Sequence, residues 1–259
     1  MENLEKVFKD KRVLVTGHTG FKGSWLTLWL VRLGAKVIGL SDDVPTTPSN
    51  FEVNNISKII EDNRVDIRNY DLVSNIVNSA NPDFVFHLAA QSLVRESYDQ
   101  PLKTFEINAM GTANILQALI SVDKKVTVVM ITSDKAYDNV EWVWGYKETD
   151  RLGGKDPYSA SKGMAELVIK TYFESFIKNK TDNITLGIAR AGNVIGGGDW
   201  AKDRIVPDCI RSWSINQPVK IRNPNSTRPW QHVFEPLSGY LSLAGALTAK
   251  VQYRVWSGC

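Results

Sequence analysis

The sequence predicts an α/β fold, a doubly wound parallel sheet that is followed by a smaller C-terminal region. Short apolar runs alternate with stretches of helical periodicity from residue 13 to residue 189, as strands and helices do when they follow each other in turn. The runs are apolar almost throughout, which is typical of parallel strands that are covered on both faces. After residue 190 the alternation gives way to glycines and widely spaced prolines. We therefore expect one domain over residues 1–190 and a second region over residues 191–259.

Each predicted strand is a short apolar run, and each predicted helix carries apolar residues on one face. The predicted strands lie at residues 13–15, 36–40, 65–67 (the end of a short strand), 84–88, 126–132 and 184–189. The predicted helices lie at residues 25–33, 51–60, 71–79, 102–120 and 158–177, with two short ones at 205–215 and 237–249.

Composition excludes several classes of protein. The 31 lysines and arginines and the 28 aspartates and glutamates, in 259 residues, give a formal net charge of +3, which does not favour nucleic-acid binding. The two cysteines, Cys209 and Cys259, support neither a disulfide framework nor a metal-ligand cluster. No apolar run approaches the roughly 18 residues of a membrane span. We expect a cytoplasmic protein with no metal site, no membrane span and no nucleic-acid partner.

A glycine-rich segment, GHTGFKG at residues 17–23, directly follows the first predicted strand and begins the first helix. Gly17, Gly20 and Gly23 allow a tight turn and the close approach of a pyrophosphate to helix N-terminal amides. The spacing differs from the usual G-x-G-x-x-G, and a plain strand-to-helix turn is the alternative. The position in the fold favours a dinucleotide site in a Rossmann-type domain.

The ends of the next three strands predict further cofactor contacts. Ser41 stands where a ribose-binding carboxylate is expected, and Asp42 and Asp43 follow it. These acids favour NAD over NADP, although Lys22 keeps NADP open and a solvated turn is the alternative. The third and fourth strands end in residues that suit either cofactor contact or simple packing, namely Asp66, Ile67, Leu88, Ala89 and Ala90.

Two polar clusters predict proton transfer. Tyr158 and Lys162 are four residues apart and share one face of a predicted helix, where the ammonium is expected to lower the pKa of the phenol towards neutrality. Ser133, Asp134 and Lys135 follow the fifth strand at the edge where parallel sheets place their chemistry. By itself the first cluster is often an ordinary helix face, and the second a polar turn.

Taken together, these segments resemble the extended short-chain dehydrogenases/reductases, and among them the CDP-glucose 4,6-dehydratases. The resemblance runs from about residue 11 to about residue 243. The segments that carry it are TGHTGFKGSW (16–25), TSDK (132–135), DPYSASK (156–162), RAGNVIGGGDW (190–200) and RPWQHV (228–233).

The resemblance implies a lyase that removes water from CDP-glucose to give CDP-4-keto-6-deoxyglucose, with NAD reduced and reoxidised in each turnover. Tyr158 would take the O4 proton, Lys162 would tune it and bind the nicotinamide ribose, and Ser133 would bind O4. Asp134 would protonate the leaving C6 hydroxyl, and Lys135 would take part in the elimination in a role that is left open.

The resemblance also implies a NAD-binding domain over residues 1–190 and a partial sugar-nucleotide-binding region over residues 191–259. Cofactor contacts are expected from Gly17, Gly20, Phe21, Lys22, Gly23, Asp42, Asp66, Ile67, Leu88, Ala89, Ala90, Thr132, Tyr158 and Lys162. Substrate contacts are expected from Gln91, Ser92, Asn193, Arg204, Arg222 and Arg228, although any one of these arginines could equally be a surface residue.

Further expectations from the resemblance are a homodimer and a role in deoxysugar biosynthesis, including that of lipopolysaccharide O-antigen. Two alternatives stay open. The chain could be another sugar-nucleotide epimerase or reductase, which would not need Asp134 and Lys135. It could also be an inactive NAD-binding fragment, because the resemblance ends near residue 243 and the substrate region is short.

Overall fold

The computed structural model describes residues 2–179, 182–249 and 253–258. The strands in this part of the chain are β1 (Arg12–Thr16), β2 (Lys36–Ser41), β3 (Glu61–Arg64), β4 (Phe84–His87), β5 (Val126–Ile131), β6 (Ile184–Ala191), β7 (Asn193–Ile195), β8 (Trp230–His232) and β9 (Tyr253–Gly258). The α-helices are α1 (Glu2–Phe8), α2 (Phe21–Arg32), α3 (Asn50–Val53), α4 (Tyr70–Ala80), α5 (Val94–Asp99), α6 (Pro101–Phe105), α7 (Gly111–Ile120), α8 (Pro157–Tyr172), α9 (Ile205–Ser214) and α10 (Phe234–Leu247).

Seven of these strands form one parallel sheet in the order β3-β2-β1-β4-β5-β6-β9. The strand order reverses between β1 and β4, so a crevice opens beyond their carboxyl ends, where doubly wound folds bind ligands. The predicted fold class is confirmed.

Two apolar cores lie on opposite faces of the sheet, because successive strand side chains alternate between the faces. Leu14 of β1 lies in the first core with buried residues of α4, α7 and α8. Its neighbours Val13 and Val15 lie in the second core with buried residues of α1, α2 and α10. Burial on both faces explains why the central strands are apolar almost throughout.

Several predicted boundaries are wrong. The third strand ends at Arg64 rather than at Ile67, since its polar sequence EDNR makes it an edge strand that leaves the sheet early. The helix predicted at residues 51–60 is the short α3 followed by a separate 3₁₀ turn at Ile56–Lys58, with the left-handed residue Asn55 between them. Helices α1 and α5 and strands β7, β8 and β9 are not in the prediction.

The long helices predicted at 102–120 and 158–177 are present, but each contains a π-helical turn. The first of these turns, Glu106–Met110, joins α6 to α7, and the second, Phe173–Ile177, extends α8. The periodicity signal spans both turns, because one wide turn shifts the apolar face without ending the helix.

The region after residue 191 contributes to two parts of the fold. Strands β7 and β8 pair in parallel away from the main sheet, and α9 lies between them in sequence. By contrast, α10 packs on β5 and β6, and β9 pairs with β6 over six residues. The division at residue 190 therefore stays a prediction, with elements of the main sheet on both sides of it. Cys259 lies outside the described residues.

Two absences concern the described residues alone. None of their helices is long and apolar enough to cross a membrane. Their His, Cys, Asp and Glu side chains form no group of three or more that could hold a metal ion.

Substitution of two glycines of α10 tests whether β9 packs against this helix. A β-carbon on Gly239 would lie 2.4 Å from the Trp256 ring of β9, whereas one on Gly245 would meet the Val7 side chain at 3.8 Å. Both substitutions to alanine improve helix propensity by up to about 1 kcal/mol. We expect Gly245→Ala to be neutral or stabilising and Gly239→Ala to lower the free energy of unfolding by about 1–3 kcal/mol through overpacking. Urea unfolding measures both, and equal stability of the two variants would show that β9 does not pack there.

Candidate active site

The glycine-rich turn lies where the carboxyl ends of β1 and β4 meet. Gly17 has a φ of 72°, and a β-carbon there would lie 2.7 Å from the backbone nitrogen of Ala89 and 2.9 Å from the carbonyl carbon of Leu88. A β-carbon on Gly23 would lie 2.0 Å from the Gly17 carbonyl oxygen. Glycine is therefore required at both positions. The predicted cofactor residues 88–90 lie directly beside the turn.

Helix α2 begins at this turn with Gly20 as its N-cap. Within the described residues no side chain caps the helix, and its first turn carries no acidic residue. The N-terminal amides and the helix dipole therefore favour an anion at this end. Phe21 packs against the second core, and the Lys22 ammonium donates to the Tyr240 hydroxyl at 3.3 Å. These features fit the pyrophosphate of a dinucleotide.

The end of β2 is tied to the turn by hydroxyl groups. The Thr19 hydroxyl donates to the Asp43 carbonyl oxygen at 2.6 Å and lies 2.8 Å from the Ser41 hydroxyl. Ser41 is buried and holds the turn, while Asp42 is exposed at the next position. Asp42 and Asp43 are both exposed beside it, and the ribose contact of Asp42 stays a prediction.

A buried histidine lies in the turn, and the sequence prediction missed its carboxylate partner, Asp62. His18 is fully buried, and its Nε2 lies 2.7 Å from Asp62 Oδ1 of β3. Burial lowers the pKa of His18, although Asp62 opposes the shift. The ring packs so closely on β2 that a β-carbon on Gly39 would lie 2.5 Å from it. Asp62 reaches this site because its strand pairs with β2 opposite Gly39, a pairing that no local motif indicates.

The segment after β3 holds two predicted cofactor residues. The Ile67 side chain is buried in the first core against Gly111, so its contribution to the structure is packing. The Asp66 carboxylate accepts hydrogen bonds from the guanidinium and the backbone N–H of Arg68, and the side-chain bond is the main reason that its pKa is lowered. Asp66 is thus an ionised carboxylate at this end of the sheet.

A chain of buried hydrogen bonds joins β1, β4 and the helix behind them. The Ala89 backbone N–H donates to the Thr16 hydroxyl at 3.2 Å, and that hydroxyl lies 2.7 Å from Nδ1 of His87. Nε2 of His87 lies 3.1 Å from the Thr112 hydroxyl, which itself donates to the Asn108 carbonyl oxygen. Because the Thr112 proton is used on Asn108, Nε2 of His87 donates to the Thr112 hydroxyl. In the neutral ring Nδ1 then accepts from the Thr16 hydroxyl. Burial lowers the pKa of His87 to about 3.

Asn108, in the π turn between α6 and α7, was missed by the sequence prediction. Its Oδ1 accepts from the Gln91 backbone N–H at 2.8 Å, and its Nδ2 donates to the Gln91 carbonyl oxygen at 3.0 Å and to the Ser161 hydroxyl at 2.8 Å. Ser161 donates in turn to the Tyr158 carbonyl oxygen. A π turn inside a helix often marks a functional site, and here it connects the end of β4 to the Tyr158 helix.

Gln91 itself is engaged inside the protein. Its side chain donates to the Leu93 carbonyl oxygen and to the Thr104 hydroxyl, each at 3.0 Å, and its Oε1 accepts from the Leu93 N–H. Its predicted contact with substrate stays a prediction.

The two predicted proton-transfer clusters come together at the carboxyl end of β5. The Ser133 hydroxyl donates to Asp134 Oδ1 at 2.9 Å and accepts from the Lys135 N–H at 3.2 Å. Ser133 also acts on Tyr158, whose pKa it lowers and whose side chain is buried on the first turn of α8. The Lys162 ammonium lies 5.9 Å from the Tyr158 ring centroid. Phenol, hydroxyl, carboxylate and ammonium thus share one crevice.

The expected pKa of Tyr158 is wrong in direction. Burial raises it to about 12, and the Ser133 hydrogen bond offsets part of the shift. The pKa of Lys162 shifts further than that of Tyr158. Burial and the neighbouring Lys22 lower it to about 7, against the opposing effect of Glu166. Burial and Arg204 likewise lower the pKa of Lys22 to about 8. Desolvation of the whole crevice therefore outweighs the attraction within the Tyr-Lys pair.

The predicted substrate residues divide into two groups. Arg204 lies at the crevice, where it donates to the Ser92 hydroxyl at 3.1 Å and to Asp199 Oδ2 at 2.9 Å. Asn193 is partly buried at the start of β7, and its predicted contact with substrate stays a prediction. Arg222 pairs instead with Asp203, in a cleft that is also lined by Arg95, Arg211 and Lys220. Arg228 lies on an exposed loop and donates to the neighbouring Thr227 carbonyl oxygen.

Comparison with known proteins identifies the family. The family model described as GDP-mannose 4,6 dehydratase matches residues 14–242. The chain belongs to this family. A CDP-glucose 4,6-dehydratase of Salmonella typhimurium is 53% identical over 243 residues, which are 93% of this chain and 68% of that protein. The predicted resemblance to the CDP-glucose branch is confirmed.

Solved structures support the fold and the cofactor class of the family. MoeE5 in complex with UDP-glucuronic acid and NAD is 26% identical, with a TM-score of 0.74 over 95% of this chain and 75% of that chain. DesIV, a dTDP-glucose 4,6-dehydratase from Streptomyces venezuelae solved with NAD, has a TM-score of 0.79 over the same shares of the two chains, at 23% identity. The second likeness shows the fold.

His87 gives the site a pH-dependent stability. The native state binds the His87 proton near pH 3 while the unfolded chain binds it near 6.5, so the free energy of unfolding falls as pH drops below about 6.5. The expected slope from this group approaches ~1.4 kcal/mol per pH unit. In His87→Gln, urea unfolding between about pH 5 and about pH 7 should show an average slope that is smaller by about 1 kcal/mol per pH unit. Identical slopes in both proteins would contradict a neutral buried His87.

Proposed function

We propose that this protein is a NAD-dependent lyase that converts CDP-glucose to CDP-4-keto-6-deoxyglucose and water. The observation that carries the proposal is the convergence of Ser133 and Asp134 with Tyr158 and Lys162 in one crevice. The nucleotide is inferred from the Salmonella relative. The activity extends to this chain as a proposal, because the chain spans 68% of that relative's length.

The residues around the glycine turn fit NAD. The amides of α2 would hold the pyrophosphate, and the close packing of Gly17 on residue 89 keeps side chains out of its path. Asp42 would accept the ribose hydroxyls, and its charge would repel the 2′-phosphate of NADP. When bound, NAD supplies a hydride acceptor at C4 of the sugar and later a hydride donor at C6.

Tyr158 would take the proton from O4 as C4 is oxidised, while the Ser133 hydroxyl orients O4. The raised pKa of Tyr158, about 12, keeps the phenol protonated at neutral pH unless positive charge is near. Lys162, with a pKa of about 7, is partly protonated there and would supply that charge. Both side chains are buried, which strengthens the interaction between them.

The elimination step uses the residues after Ser133. A ketone at C4 acidifies the hydrogen at C5, and the C6 hydroxyl leaves as water when it is protonated. Asp134, already in a hydrogen bond with Ser133, would deliver that proton. Lys135 is adjacent and would act either as the base at C5 or as a cation that stabilises the enolate. A simple epimerase would need neither residue.

The diphosphate would lie towards the arginines. Arg204 is aimed at the crevice by Asp199 and Ser92, and guanidinium groups bind phosphates in bidentate fashion. We also propose contacts from Arg222, Arg228 and Asn193, a cytoplasmic location beside the pools of NAD and sugar nucleotides, and a role in deoxysugar biosynthesis such as that of O-antigen. A homodimer is proposed as well, since the exposed side chains of Met164 and Leu167 leave an apolar face on α8.

The substrate assay separates the proposal from its alternatives. Purified protein is incubated with CDP-glucose, dTDP-glucose or GDP-mannose, with and without added NAD, and the masses of the products are measured by mass spectrometry. We expect the loss of one water from CDP-glucose and a much slower loss from the other two. A product of unchanged mass would identify an epimerase instead. Binding of NAD without any turnover would identify an inactive NAD-binding chain.

Tyr158→Phe should remove the base of the oxidation step. We expect kcat for loss of water to fall by ~10²–10⁴-fold, with binding of NAD retained, because the change leaves the backbone and ring in place. Tyr172→Phe is the matched control on the same helix, since its hydroxyl bonds to the distant Gln117. Steady-state kinetics measure kcat for both variants. An equal kcat in Tyr158→Phe and Tyr172→Phe would show that Tyr158 is not the base.

A further inference from the structure

A buried ion pair lies behind the catalytic crevice. Glu166 of α8 and Arg190 of β6 expose 2% and 3% of their side chains. Arg190 Nε donates to Glu166 Oε1 at 2.8 Å, and its Nη2 donates to Oε2, so the pair is bidentate. A buried pair of this kind stabilises a fold little compared with apolar residues of the same volume. Its contribution to stability therefore does not explain its presence.

The pair touches both catalytic segments. Glu166 Oε1 also accepts from the Thr132 hydroxyl at 2.6 Å, and Thr132 directly precedes Ser133. On α8, Glu166 lies four residues after Lys162, on the same face of the helix. One carboxylate thus connects the strand end that carries Ser133 to the helix turn that carries Lys162.

The other partner holds the loop that follows the catalytic segment. The Arg190 guanidinium lies 4.5 Å from the Tyr137 ring centroid, and its Nη1 donates to the Glu148 carbonyl oxygen at 3.2 Å. Tyr137 stacks on Tyr146 at 5.0 Å, and Tyr146 on Trp142 at 5.3 Å. The loop that these aromatic residues belong to begins immediately after Lys135.

We propose that Glu166 and Arg190 are positioning residues of this active site, which hold the Ser133 strand end, the Lys162 helix turn and the aromatic loop in one arrangement. The proposal deepens the proposed function and rests on it for its kinetic part. Its electrostatic part concerns the free protein, because the Glu166 carboxylate raises the pKa of Lys162.

Four groups face the Lys162 ammonium. They are Tyr158 on its own helix, Lys22 of α2, His87 of β4, and Glu166. His87 is neutral above pH 3 and Tyr158 below pH 12, so the charges that act near pH 7 are those of Lys22 and Glu166. Removal of the Glu166 charge leaves Lys22 unopposed and leaves the Arg190 guanidinium without its counter-charge. Both effects lower the pKa of Lys162.

Glu166→Gln tests the electrostatic part. In protein with carbon-13 labelled lysine, the Cε chemical shift of Lys162, assigned by its loss in Lys162→Arg, is followed against pH. We expect a midpoint about one pH unit lower in Glu166→Gln than in the wild type. Glu174→Gln is the matched control, because Glu174 pairs with Lys178 on the surface of the same helical segment, and its midpoint should not move. An unchanged midpoint in folded Glu166→Gln would overturn the proposal.

Kinetics test the positioning part. For Glu166→Gln we expect kcat to fall ~10–100-fold while KM for the sugar nucleotide changes less than about threefold, since a small displacement of reacting groups affects the chemical step most. The double variant Glu166→Leu/Arg190→Met replaces the pair by apolar residues and should fold. A kcat near that of the wild type in the double variant would show that the pair does not position the reacting groups, and would contradict the proposal.

The two hypotheses fail in different ways. If the wild type turns over no sugar nucleotide, the proposed function fails while the Lys162 titration still decides whether Glu166 sets its charge. If the wild type is active and the titration midpoint is the same in Glu166→Gln, the inference about the ion pair fails alone.

Discussion

The backbone contact between β1 and β4 at their carboxyl ends is the constraint on which the site depends. The sheet reverses its strand order there, and Gly17 approaches Ala89 so closely that no side chain fits between them. The contact lets α2 begin directly at the end of β1, with its amides towards the crevice. Dinucleotide binding in such folds needs this geometry more than it needs particular side chains.

Hydrogen bonds between uncharged groups stabilise the contact between β1 and β4. One continuous chain of hydrogen bonds runs from β1 through β4 to the helix behind the sheet, and its members are Thr16, His87 and Thr112. A buried polar network is stable when every member has a hydrogen-bond partner. The π turn at Asn108 extends the same network to the helix of Tyr158. The cofactor side and the proton-transfer side of the crevice are therefore fixed relative to each other by uncharged groups.

Local patterns predicted the sheet and most of the site, because central strands, glycine turns and the Tyr-Lys spacing are signals within a few residues. What the sequence did not show depends on distant pairing. Asp62 reaches His18 through the register of β3 on β2, and β9 is recognisable as a strand by its pairing with β6. The pKa of Tyr158 was misjudged for the same reason, since burial is a property of the whole fold.

The charge balance of the crevice follows from three opposing effects rather than from the Tyr-Lys pair alone. Burial disfavours every charge, Lys22 repels the charge on Lys162, and Glu166 attracts it. At a pKa of about 7, Lys162 can gain or lose a proton with little change in free energy near neutral pH, whereas an exposed lysine would stay charged. A group poised in this way can supply positive charge when a phenolate forms beside it and release it afterwards. The Glu166 carboxylate, one helical turn away in a position that the motif does not include, opposes the lowering of the Lys162 pKa by burial and by Lys22.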